Sequence, residues 1–104
     1  MAVFRILEAK ARPGAVDRVA ELITKQNERV AGTRGALFAQ ALRSGDQLLA
    51  VSSWAGVEDM QEYLEQEVTK EFYRALPLLL MGVPSVRTYE VIGGGDGAGW
   101  AARP

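Results

Sequence analysis

Two rhythms of apolar and polar positions alternate along this chain. Residues 3–11, VFRILEAKA, are rich in Val, Ile, Leu and Phe and stop at Arg12, Pro13 and Gly14, which reads as a strand closed by a turn. From Ala15 to Ala31 the period lengthens: Val16, Val19, Leu22, Ile23 and Val30 recur at helical spacing. Asp17 and Glu21 lie near the start of that segment and Arg29 near its end, the charge order that a helix dipole favours. Strand character returns in ALFAQALR, 36–43, after the glycine stop GTRG, 32–35, and again in QLLAVSSW, 47–54. Ser44, Gly45 and Asp46 between the two runs predict an antiparallel hairpin. Val57, Met60, Leu64 and Val68 mark a second amphipathic helix, which Pro77 ends or kinks. VPSVRTYEVI, 83–92, supplies the last strand, and the glycine-rich stretch 93–104 has too little apolar content to pack.

The order β-α-β-β-α-β predicts an α+β, ferredoxin-like domain over 1–92, followed by a loose tail over 93–104. Its four-stranded antiparallel sheet would carry two helices on one face. VFRIL, ALFAQAL and LLAVSSW place apolar residues on both sides of the pleat, so the second face also needs a cover. A second copy of the chain is the economical one, which predicts a homodimer through the sheet face.

Composition narrows the chemistry. Twelve Lys plus Arg against 13 Asp plus Glu, with neither sign in a long run, leaves no footprint for nucleic acid or anionic lipid. The chain contains neither Cys nor His, which excludes thiolate catalysis, thiolate metal sites and the commonest general base. No apolar run approaches the ~20 residues of a membrane span, and charges interrupt the N-terminus, so a cytoplasmic protein is expected. Glu58, Glu62 and Glu65 on the second helix read as its solvated face rather than as a metal cluster. The glycine run at 93–95 lacks the Lys-Ser/Thr and following helix of a phosphate loop.

The segments KARPGAVDRVAEL, RGALFAQALRSGDQ, LLAVSSWAGVEDMQEYL and VRTYEVI together resemble the antibiotic biosynthesis monooxygenase family, within the dimeric α+β barrel group. The shared marks are Pro-Gly before the first helix, Gly before the second strand, and Trp54 before the second helix with Met60 six positions on. The resemblance implies a dimer with a pocket between helices and sheet in each subunit. It also implies oxidation of a small aromatic phenol, hydroquinone or anthrone-like substrate by O₂ without metal or flavin. The alternative within the same fold is a non-catalytic module that binds a small apolar or aromatic ligand or serves to oligomerise. A related branch degrades haem through an Asn on the first strand and a Trp and a His on the second helix; here Leu7, Tyr63 and Tyr73 occupy those positions, which disfavours haem. No cofactor is therefore expected.

Pocket candidates are Trp54, Tyr63, Tyr73, Arg87 and Tyr89. Trp54 reads first as core, with pocket lining as a second role. Phe72 reads as core and Tyr73 as rim. Alternation puts Ser85, Arg87 and Tyr89 on one side of the last strand, facing either the helix-covered pocket or the dimer interface. Arg5 and Glu8, charged residues in the first strand, would pair across the dimer.

Overall fold

A computed structural model of the protein describes residues 1–94; the rest of the predicted tail, 95–104 with Trp100, lies outside the described residues. Strand β1 (Val3–Lys10) leads through the Pro13-Gly14 turn into helix α1 (Val16–Ala31). The hairpin follows as β2 (Ala36–Ser44) and β3 (Gln47–Trp54), turning at Gly45 with φ +62°. Then come α2 (Val57–Leu64), α3 (Glu67–Ala75), a 3₁₀ turn (Leu76–Leu79) and β4 (Ser85–Glu90). The sheet order is β2-β3-β1-β4, antiparallel throughout, as the split β-α-β-β-α-β arrangement requires.

The second helix differs from the expected single amphipathic run. It breaks at Glu65 and Gln66, where Gln66 is extended (φ −67°, ψ 140°) and begins a new helix. The break shifts the inward stripe: Met60 and Tyr63 are buried before it, and Thr69, Phe72 and Leu76 after it. Val57 and Val68, expected inside, are each 38% exposed. Pro77, which cannot donate a backbone hydrogen bond, falls within the 3₁₀ turn that closes α3.

Register decides what each face of the sheet carries. Val3 pairs with Trp54, Arg5 with Ser52, Leu7 with Ala50 and Ala9 with Leu48, and this set faces the helices. The alternate set, Phe4, Ile6 and Glu8 with Leu49, Val51 and Ser53, faces away. Phe4 stacks there on Phe38 of β2, ring centroids 5.9 Å apart. Arg5 and Glu8 differ by three positions, an odd number, so they lie on opposite faces and cannot act together at one interface. Glu8 instead accepts a hydrogen bond from Gln47 at 3.2 Å.

Beneath the helices the core forms two clusters. One gathers Leu7, Val19, Ile23, Leu48, Phe72 and Leu76 toward one end of the domain. The other gathers Val3, Val30, Trp54, Met60 and Tyr63 toward the other. Polar side chains line the space between them.

Candidate functional site

The helix α1 stripe Val19, Ile23, Val30 is interrupted where Gln26 and Asn27 take the inward positions. Arg5 from β1, Ser52 from β3, Tyr63 from α2 and Tyr73 from α3 converge on the same point, with Leu7, Ala50 and Phe72 as apolar wall. Together they line a partly open cavity between helices and sheet. About 20 Å³ is open to the centre of a water-sized sphere, room for about one water.

Three hydrogen-bonded units frame it. Gln26 donates through Nε2 to the Tyr63 hydroxyl at 2.6 Å and, more distantly at 3.4 Å, to Thr69 Oγ1. Arg5 donates through Nη2 to the Tyr73 hydroxyl at 3.0 Å, with its guanidinium carbon 5.7 Å from the Tyr73 ring centre. Trp54 donates through Nε1 to Ser52 Oγ at 3.0 Å. One group is left over: Asn27 Nδ2 is buried and has no hydrogen-bond partner among the described residues. Such an orphan in a native core costs about 1–3 kcal/mol, so it marks a place where an acceptor belongs.

The electrostatics are one-sided. Arg5 is partly buried and has no carboxylate within ion-pair distance among the described residues, and none of the cavity's lining residues is acidic. Burial pushes the Tyr63 phenol above its ordinary range, and the opposing effect of the Gln26 hydrogen bond is smaller. Tyr63 therefore stays neutral and does not compensate Arg5. A guanidinium and an unpaired amide N–H thus line one cavity that carries no acid.

The candidates from the sequence divide between two places. Tyr63 and Tyr73 line the cavity. Trp54 is fully buried behind it, its ring 5.2 Å from that of Tyr63, so it braces the wall rather than forming its surface. Phe72 is 8% exposed and meets Tyr73 edge-on at 5.1 Å. Arg87 and Tyr89 lie elsewhere: they pair with Ile6 and Phe4, which puts them on the helix-free face. There the adjacent Tyr89 hydroxyl favours the charged form of Arg87. Arg5, Gln26, Asn27, Ser52 and Thr69 were not among the pocket candidates. The signal for Gln26 and Asn27 was present as the third and fourth residues after Ile23, a polar gap in an apolar stripe. Among the described residues no three His, Cys, Asp or Glu side chains lie close enough to hold a metal ion.

No family model matches the sequence, and no curated protein is significantly similar to it. Solved structures are similar. Rv0793 from Mycobacterium tuberculosis superposes with a TM-score of 0.86 at 14% identity, covering 92% of this chain and 100% of that one. A protein from Deinococcus radiodurans, provisionally assigned as an antibiotic biosynthesis monooxygenase, gives 0.83 at 14% identity over 90% of this chain and 96% of that one. SnoaB from Streptomyces nogalater, described as a cofactor-independent oxygenase and solved as a point mutant, gives 0.78 at 14% identity over 89% and 95%. The chain has the fold of the antibiotic biosynthesis monooxygenase group. Among the described residues no helix is long and apolar enough to cross a membrane.

Proposed function

We propose that this chain is an oxygenase that takes a small phenol, hydroquinone or anthrone-like aromatic into the cavity between its helices and sheet. It would hold the substrate as its oxyanion and expose it to O₂ without a cofactor. The observation that carries the reading is that Arg5 from the sheet and the orphaned Asn27 Nδ2 from α1 line one cavity with no acidic residue. That SnoaB is described as a cofactor-independent oxygenase on the same fold supports the reaction class.

The chemistry asked of these residues is modest. A phenol ionises near pH 10 in water, and a guanidinium within hydrogen-bond reach favours the anion against the opposing cost of burial. The electron-rich anion then reacts with O₂ itself. For an anthrone-type substrate the net change is CH₂ plus O₂ to a carbonyl plus water: two C–H bonds break, one oxygen atom becomes the carbonyl oxygen and the other leaves as water. The four electrons taken up by O₂ come from that carbon, so no external reductant enters. Arg5 and Asn27 hold the oxyanion, Tyr73 orients Arg5, and Trp54 and Tyr63 keep the wall dry.

Oxygen consumption with a panel of hydroquinones and anthrones, for wild type and Arg5→Met, tests this. Turnover above the uncatalysed rate that disappears in Arg5→Met is expected. No turnover across the panel would refute the reading. The lack of any carboxylate or His among the lining residues, and so of an ordinary general base, favours a second reading, a non-catalytic module that binds a small aromatic ligand unchanged; binding without oxygen uptake would select it.

The partner at the helix-free face is a second copy of this chain. Phe38, Leu42 and Tyr89 are 38%, 44% and 47% exposed there, alongside Phe4, Ile6 and Leu49. An apolar patch of this kind on one face of a sheet favours association. Light scattering after size exclusion should return twice the 11.3 kDa chain mass at micromolar concentration. A monomer would contradict the pairing.

A further inference from the structure

The cavity as it stands is too small for any aromatic ring, since a cavity that binds benzene measures about 150 Å³. Its surroundings show where room can come from. Beyond Tyr63 lies an outer cleft with about 250 Å³ open on the same water-sphere measure, lined by Thr33, Arg34, Asp59, Glu62, Tyr63 and Gln66. Among the described residues Tyr63 is the one that lines both spaces. We propose that Tyr63 is a removable partition within a single two-part ligand site, and that the outer cleft receives the polar far end of the aromatic whose oxyanion sits at Arg5. This rests on the cavity being the ligand site, and it adds the route of entry and the shape of the ligand.

The setting of Tyr63 suits a partition. Its hydroxyl is latched by Gln26 at 2.6 Å and its ring leans on Trp54 at 5.2 Å. It lies one residue before the end of the eight-residue helix α2, next to the break at Glu65 and Gln66 where the chain leaves helical geometry. A small rotation of α2 about that break would carry the ring outward without unpairing the sheet. The outer floor is built close: Gly35 adopts φ +86°, and a Cβ there would overlap the Asp59 side chain, so α2 approaches the α1–β2 loop as only glycine allows. Asp59, Glu62 and Gln66 supply acceptors at the outer cleft beside the Arg34 guanidinium, whereas the inner cavity has no acidic residue and carries the Arg5 guanidinium. A ligand hydroxylated at both ends of a fused ring would meet both.

Stopped-flow quenching of Trp54 fluorescence by 2-naphthol, in a Trp100→Phe chain, reads the partition directly. Tyr63→Phe keeps the ring and removes the latch, and the association rate should rise at least tenfold. An unchanged rate overturns the partition, most plainly if Phe72→Leu, on the groove between α1 and α3, accelerates entry instead. For the outer half, 2,6-dihydroxynaphthalene should bind at least threefold tighter than 2-naphthol, and Glu62→Ala should abolish the difference. Equal affinities, or a difference indifferent to Glu62→Ala, would overturn the outer subsite. These readouts need no turnover. Tyr63-dependent binding without oxygen uptake would refute the oxygenase alone, and turnover with an unchanged Tyr63→Phe rate would refute the partition alone.

Discussion

Replacing Arg5 by Met should make the protein more stable while removing its ligand binding. Arg5 is partly buried, has no carboxylate partner among the described residues, and makes one side-chain hydrogen bond, to the Tyr73 hydroxyl. Losing that bond costs about 1 kcal/mol, reduced because the half-buried Tyr73 hydroxyl can turn to water. The Met side chain fills the space of the Arg stem at about equal apolar area, and the desolvation penalty of an uncompensated, partly buried guanidinium, about 2–3 kcal/mol, disappears. The balance is a gain of about 1.5 kcal/mol, or about 6–12 °C in Tm for a domain of this size. Urea unfolding followed by circular dichroism measures it, with the midpoint rising at unchanged slope. In parallel, an aromatic anion at about a hundred times its Kd should stabilise wild type by about 2.7 kcal/mol and leave Arg5→Met unmoved. A loss of about 1 kcal/mol or more in Arg5→Met would instead show Arg5 to be a satisfied structural cation rather than one awaiting an anion.

Other expectations follow from the same geometry. Gln26→Leu leaves the Tyr63 and Thr69 hydroxyls short of a partner and should cost about 1–3 kcal/mol, while adding Tyr63→Phe should restore part of that loss, a coupling readable in a urea double-mutant cycle. The folded-state pKa of Tyr63 lies above its ordinary value of 10.0, so the folded state holds this proton more tightly than the unfolded chain. Stability from this group is therefore full below about pH 10 and falls as pH rises through the folded-state value, a loss that a pH series of unfolding midpoints should show in wild type and not in Tyr63→Phe. Gly35→Ala meets both a positive φ and the Asp59 side chain and should cost about 2–3 kcal/mol in thermal unfolding, whereas Gly45→Ala, with open space around its Cβ, should cost less.

The hairpin and the element order were legible because Pro13-Gly14 and Gly32–Gly35 bound the first helix and the Ser44-Gly45-Asp46 corner leaves one pairing for its neighbours. The helix break was not, since Val57, Met60, Leu64 and Val68 satisfy one continuous stripe on paper; an extended Gln66 and the inward pull of Thr69 and Phe72 reset the phase. The face carrying Arg87 and Tyr89 depended on the β1–β4 register, which pairs Arg87 with Ile6, and alternation within β4 alone does not contain that information. The charge of Arg5 suggests an interface, although its even spacing from Val3, Leu7 and Ala9 already puts it on the helix side. Gln26, Ser52 and Thr69 are ordinary polar residues in sequence, and only their convergence makes a site.

An oxyanion held between Arg5 and Asn27 would show itself in the ionisation of a bound chromogenic phenol. Spectrophotometric titration of 4-nitrophenol, free and in the presence of saturating protein, reads the phenolate absorbance against pH. The pKa should be lowered on wild type and not lowered on Arg5→Met. A bound pKa at or above the free value on wild type would contradict it.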